Sequence, residues 1–106
     1  MNDSIKSALD TYTSYISSLN GVLQIYLFGS HAYGTPDDFS DIDLMVVIDD
    51  NLDVLKTAYK IQRGLANRVV PLDVLVNKES AFYEAAENTS LQAHIIKEGT
   101  LLYEKQ

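Results

Sequence analysis

Val22-Leu23-Gln24-Ile25-Tyr26-Leu27-Phe28 is a nearly continuous apolar run that leads directly into Gly29-Ser30. Ten residues further on, Asp41-Ile42-Asp43 opens a second apolar run, Ile42 to Ile48. Runs of this length that lack polar alternation read as strands covered on both faces. A third run, Leu72 to Val76, follows Pro71 and carries Asp73 in its midst. Helix-period segments separate the three, so strands and helices alternate along the chain.

Outward from this core the boundaries follow local chemistry. Asp3 or Ser4 can cap a first helix, on which Ile5, Ala8, Leu9, Tyr12, Tyr15, Ile16 and Leu19 recur at three- and four-residue steps until Asn20-Gly21 stops it. Gly29 to Gly34 turns sharply and opens a short helix. Thr35-Pro36-Asp37-Asp38-Phe39-Ser40 is a loop made of turn formers. Asp49-Asp50-Asn51 offers a cap for a long helix with Leu52, Leu55, Ala58, Tyr59, Gln62, Leu65, Ala66 and Val69 on or near its inner face. A short helix is expected around Ser80 to Glu87. Thr89-Ser90-Leu91-Gln92 has the form of a capping box for a last helix ending at Gly99. Leu101-Leu102-Tyr103 then reads as a short final strand. The order predicts a single α/β (α+β) domain over residues 1–106, with helices packed on a small central mixed sheet.

Composition narrows the function classes. A chain of 106 residues holds one core and not two. There is no cysteine, which removes disulfides, thiolate metal sites and cysteine nucleophiles. The formal charge of −7 argues against a surface that binds nucleic acid by neutralising phosphates. It leaves room for a cation site and for a basic partner, beside an ordinary solvated acidic surface. No apolar stretch at the N-terminus resembles a signal peptide and none reaches membrane-spanning length, so a cytoplasmic location without membrane contact is expected.

The chemistry concentrates in the spaced pattern. Asp41 and Asp43 lie two apart at a strand start, so their side chains share a face with Cα atoms roughly 6–7 Å apart. Two such carboxylates can share one divalent ion or flank a pair of them, and Mg²⁺ suits a site of few carboxylates completed by substrate phosphates. Asp73 supplies a third carboxylate inside an otherwise apolar segment, where an unpaired charge is costly. A cation site or a salt bridge to Arg68 or Lys78 would account for it. Gly29-Ser30, at a strand-to-helix turn, offers free backbone N–H groups and a hydroxyl to a phosphate. His31 either lines that phosphate site or faces water. His94, between Leu91 and Ile95, reads as a partly buried structural residue, and the tyrosines at 12, 15, 26, 59, 83 and 103 as core or core-edge residues.

Phe28-Gly29-Ser30-His31-Ala32-Tyr33-Gly34 followed by Ser40-Asp41-Ile42-Asp43-Leu44-Met45-Val46 resembles the core motif of the DNA polymerase β-type nucleotidyltransferases. Within that superfamily the chain is most similar to the minimal nucleotidyltransferase (MNT) group, small antitoxins paired with HEPN-domain toxins. The resemblance implies a polymerase β-like fold and transfer of AMP from ATP, with Mg²⁺ (two ions) as cofactor and pyrophosphate leaving. It implies that Asp41, Asp43 and Asp73 bind metal and are catalytic, with Asp73 assisting deprotonation of the attacking hydroxyl. Gly29, Ser30 and His31 would hold the nucleotide, and the acceptor would be a tyrosine of a HEPN toxin. Members of the group often carry arginine shortly after Gly-Ser, where this chain has His31 and Tyr33. The compensating charge would then come from His31, from Lys56, Lys60 or Arg63, or from the partner. Two alternatives stand beside this reading. One is an antitoxin that neutralises by binding, with little catalysis, and the other an aminoglycoside-type nucleotidyltransferase acting as a dimer.

Overall fold

The computed structural model describes residues 3–34, 41–68 and 70–106. The loop expected over 35–40, and Val69 on the long helix, lie outside these described residues. The elements are α1 (Asp3–Ser18), β1 (Val22–Phe28), α2 (Ser30–Tyr33), β2 (Ile42–Ile48), α3 (Val54–Gly64), β3 (Leu72–Lys78), α4 (Glu79–Ala86), α5 (Leu91–Glu98) and β4 (Thr100–Glu104). The expected mixed α/β domain is what forms. The four strands lie in the order β3-β2-β1-β4. β1 runs antiparallel to β2 and β4, whereas β2 and β3 run parallel. Hence the end of β1 and the starts of β2 and β3 meet at one rim of the sheet.

Both faces of the central strands β1 and β2 are covered, which is why those two are so apolar. On one face Ile25, Leu27, Leu44 and Val46 join Ile5, Leu9, Tyr12 and Ile16 of α1 and Ile61 of α3 in the main core. The Tyr12 hydroxyl fixes the approach to β3 by donating to the Val70 carbonyl at 2.5 Å. On the other face Tyr26, Met45 and Val47 pack with Phe82 of α4 and Ile95 of α5. Phe82 is fully buried and stacks on Tyr26 with ring centroids 5.7 Å apart. Burying a phenylalanine contributes about 1.5–3 kcal/mol.

Several local expectations are corrected. Leu55 and Tyr59, expected on the inner face of α3, are 81% and 64% exposed. Two apolar stripes share this helix. The longer one, Val54, Ala58 and Ile61 at i, i+4 and i+7, continued by Leu65 at the C-cap, faces the core and turns Leu55 and Tyr59 outward. The cap of α3 is Asp53, whose side chain accepts from Lys56 N at 2.9 Å, and not the Asp49-Asp50-Asn51 turn. Asp49 instead accepts from Asn51 N at 2.8 Å. Asp50 reaches across the chain to accept from Ser80 N at 3.0 Å, so it caps α4.

The expected Thr89–Gln92 capping box does not form either. Ser90 caps α5 by accepting from Ala93 N at 3.0 Å, and its hydroxyl donates to Ala85 O at 2.7 Å, tying α5 to the end of α4. Gln92 turns away and donates to Asn77 Oδ1 at 3.0 Å. His94 is exposed, because Ile95, a helical step of about 100° round, takes the core position. Of the tyrosines, Tyr59 and Tyr83 are exposed. The Tyr83 hydroxyl still donates to Gln24 Oε1 at 2.5 Å.

Candidate active site

The rim where β1 ends and β2 and β3 begin gathers the residues that the motif pointed to. In the parallel register Asp43 stands opposite Asp73, and in the antiparallel register it stands opposite Phe28. Strand alternation puts Asp43 on the face of Met45 and Val47, beyond the area that Phe82 and Ile95 cover. Asp41 lies just before β2 and is exposed, Asp43 is half-buried, and Asp73 is exposed. Arg68 and Lys78, weighed as partners for Asp73, act elsewhere. The Arg68 guanidinium donates to Leu65 O at 3.0 Å, and Lys78 faces Asp50.

The electrostatics show how closely the carboxylates crowd. Burial, then the charges of Asp73 and Asp41, raise the Asp43 carboxyl above its ordinary value, while His31 opposes the rise. His31 is half-buried on α2. The turn before it is built for closeness. Gly29 has φ 77° and ψ −160°, a positive-φ conformation that favours glycine. A Cβ at this position would collide with Asp43 Oδ2. Gly29 therefore brings bare backbone against the central carboxylate. Ser30 opens α2 as expected and is half-buried. The spacing of the motif does not reveal this contact; its one trace in the sequence is the glycine itself.

The donor set at the rim is carboxylate oxygen throughout, which suits a hard divalent ion, and a cation would relieve the repulsion felt at Asp43. Among the described residues no group of three His, Cys, Asp or Glu side chains is gathered tightly enough to grip an ion unaided. Asp43 and Asp73 form the heart of the cluster, and Asp41 stands at its exposed lip. Lys56, Lys60 and Arg63, considered as sources of compensating charge, line a separate groove along α3 that contains none of the three aspartates.

Comparison with known proteins identifies the family and the fold. Residues 10–106 match the family model described as polymerase beta, nucleotidyltransferase. No curated protein matches the chain in sequence. Among solved structures, a putative nucleotidyltransferase from Sulfolobus solfataricus superposes with a TM-score of 0.63 at 21% identity, covering 99% of this chain and 90% of that one. A point mutant of the toxin–antitoxin MntA–HpeT, with a tyrosine changed to alanine, gives 0.58 at 20% identity over 100% of this chain and 75% of that one. A toxin–antitoxin structure with AMP-PNP gives 0.51 at 22% identity over 99% and 76%. These likenesses show the fold, and the family match covers nearly the whole chain. The chain belongs to the polymerase beta nucleotidyltransferase family.

Proposed function

We propose that this member of the family transfers AMP from ATP to a hydroxyl of a protein partner, most naturally a tyrosine of a HEPN-domain toxin, and so acts as an antitoxin. The observation that carries the chemistry is the Asp43–Asp73 register pair with the Gly29 backbone against it. The toxin–antitoxin structures among the similar folds, one of them with AMP-PNP, support the nature of the donor and partner.

In this reading Gly29 and Ser30 hold the triphosphate, with His31 beside them. Asp41, Asp43 and Asp73 would hold Mg²⁺, which when bound polarises the phosphoryl oxygens and offsets their charge. The acceptor oxygen attacks the α-phosphorus as the bond to the bridging oxygen of the β-phosphate breaks, and pyrophosphate departs. Asp73 accepts the hydroxyl proton. Asp73 is the exposed member of the register pair, so a bulky protein acceptor can reach it.

The test is incubation with ATP, Mg²⁺ and a candidate HEPN-domain partner protein, followed by intact-mass measurement. The expected result is a mass gain of AMP size on that protein, lost with Asp43→Asn. No gain, or an undiminished gain with the variant, overturns the proposal. One observation favours a second reading, neutralisation by binding alone: position 31, after Gly-Ser, holds histidine in place of the arginine common in such proteins. Full neutralisation by an Asp41→Asn/Asp43→Asn double variant would select it.

A further inference from the structure

The groove along α3 has a volume of about 820 Å³ and is lined by Tyr15, Leu55, Lys56, Tyr59, Lys60 and Arg63. It is unlike the rest of this acidic chain. Leu55 and Tyr59 are the most exposed large apolar residues among those described, and they stand one helical turn apart. Lys56, Lys60 and Arg63, at i, i+4 and i+7, form a cationic stripe beside them. Three of the eight lysines and arginines of a chain with net charge −7 therefore border one apolar strip.

The aromatic groups in the groove are held in place. Arg63 donates to the Tyr59 hydroxyl at 3.0 Å. Tyr15 donates to Lys60 O at 3.3 Å, and its ring fills the space above Gly64, where a Cβ would collide with the tyrosine oxygen. Ordered aromatic side chains lose little entropy on binding, which is the character of interface anchors. The surface is also remote from the chemistry, because α3 packs on the sheet face opposite Asp43.

We infer that this face docks an amphipathic helix of another protein, one whose apolar ridge is flanked by glutamate or aspartate. Charge selects this occupant. A second copy meeting the same face about a two-fold axis would set three cations against three, so the chain does not close on itself here. An apolar ridge seated on Leu55 and Tyr59, with carboxylates against Lys56, Lys60 and Arg63, satisfies both stripes together. The inference does not depend on nucleotidyl transfer.

The test uses a synthetic helical peptide with a leucine and phenylalanine ridge flanked by glutamates, titrated into the full chain and followed by amide NMR shifts. A peptide with lysines in place of the glutamates and a single-stranded oligothymidylate serve as competitors. Saturable shifts centred on Leu55, Tyr59 and Arg63 are expected with the acidic peptide alone. Affinity should fall about tenfold or more with Lys56→Ser/Lys60→Ser and with Tyr59→Ser. Leu55→Ser, at the most exposed site, repeats the test should either of those variants melt early. Asp43→Asn must bind the peptide as the wild type does. Equal binding of both peptides, preference for the oligonucleotide, shifts centred elsewhere, no binding, or a dimer that Tyr59→Ser dissolves would each overturn the inference.

Discussion

The carboxylate of Asp43 occupies the space that any side chain at Gly29 would need. The Gly29 turn and the carboxylate cluster are thereby one structure, since a change at position 29 displaces the residue at the centre of the cluster. The left-handed φ of 77° adds a conformational penalty to the steric one. Gly29→Ala is expected to destabilise the domain by about 1–3 kcal/mol and to lower nucleotidyl transfer on the order of 100-fold. Thermal unfolding and single-turnover rates measure the two effects separately.

Asp43→Asn is expected to separate stability from activity. The folded-state pKa of Asp43 lies above its unfolded value, so the ionised carboxylate opposes folding. That penalty is present in full above the folded pKa and fades as pH falls toward the ordinary carboxylate value. In neutral, divalent-free buffer the variant should be more stable than the wild type, by at most about 1 kcal/mol because the site is largely open to water. The gain should vanish in acid. Adding Mg²⁺ should raise the melting temperature of the wild type and leave Asp43→Asn unmoved, while transfer falls on the order of 100-fold or more.

Asp50 carries the opposite sign. Its hydrogen bonds from the Ser80 backbone and side chain hold its carboxyl below the ordinary range. The stability it contributes is present above its unfolded pKa and disappears as pH falls through the lower folded value. Asp50→Ala should lower the melting temperature at neutral pH and make no difference in strong acid. Asp53→Ala, which uncaps α3, should cost about 1 kcal/mol. A pH series of melting curves on the three proteins checks the pattern.

Ser90→Ala removes a cap and a helix-to-helix tie together, because one hydroxyl accepts from Ala93 N and donates to Ala85 O. A loss of about 1–2 kcal/mol is expected. Thr89→Ala should be close to neutral, which denaturant titration of the pair resolves.

The two central strands and their boundaries are legible because their burial leaves nearly continuous apolar runs: Val22–Phe28 and Ile42–Ile48 begin and end where those runs do, whereas β3 runs on past the expected Val76 to Lys78. Helix phase is less so. On α3 two stripes share the helical period, and only the tertiary contacts of Ile61 show which one is inside. Caps are ambiguous for a related reason. Asp49, Asp50 and Asp53 are all chemically able to cap, and the helix end that Asp50 bonds is thirty residues distant in sequence. At the candidate site the residue types are readable from the motif. Their pairing is not, since the register that sets Asp43 against Asp73 depends on how β3 lies along β2.

That parallel pairing has a consequence for the order of assembly. β1 and β2 can meet as antiparallel neighbours, whereas β3 reaches β2 only after the chain has crossed over through α3. Asp43 and Asp73 do not confront each other until that crossover is complete. The repulsive contact is thus a product of the crossover and not of the β1–β2 pairing. A ligand that needs both carboxylates would therefore bind only once β3 has paired with β2.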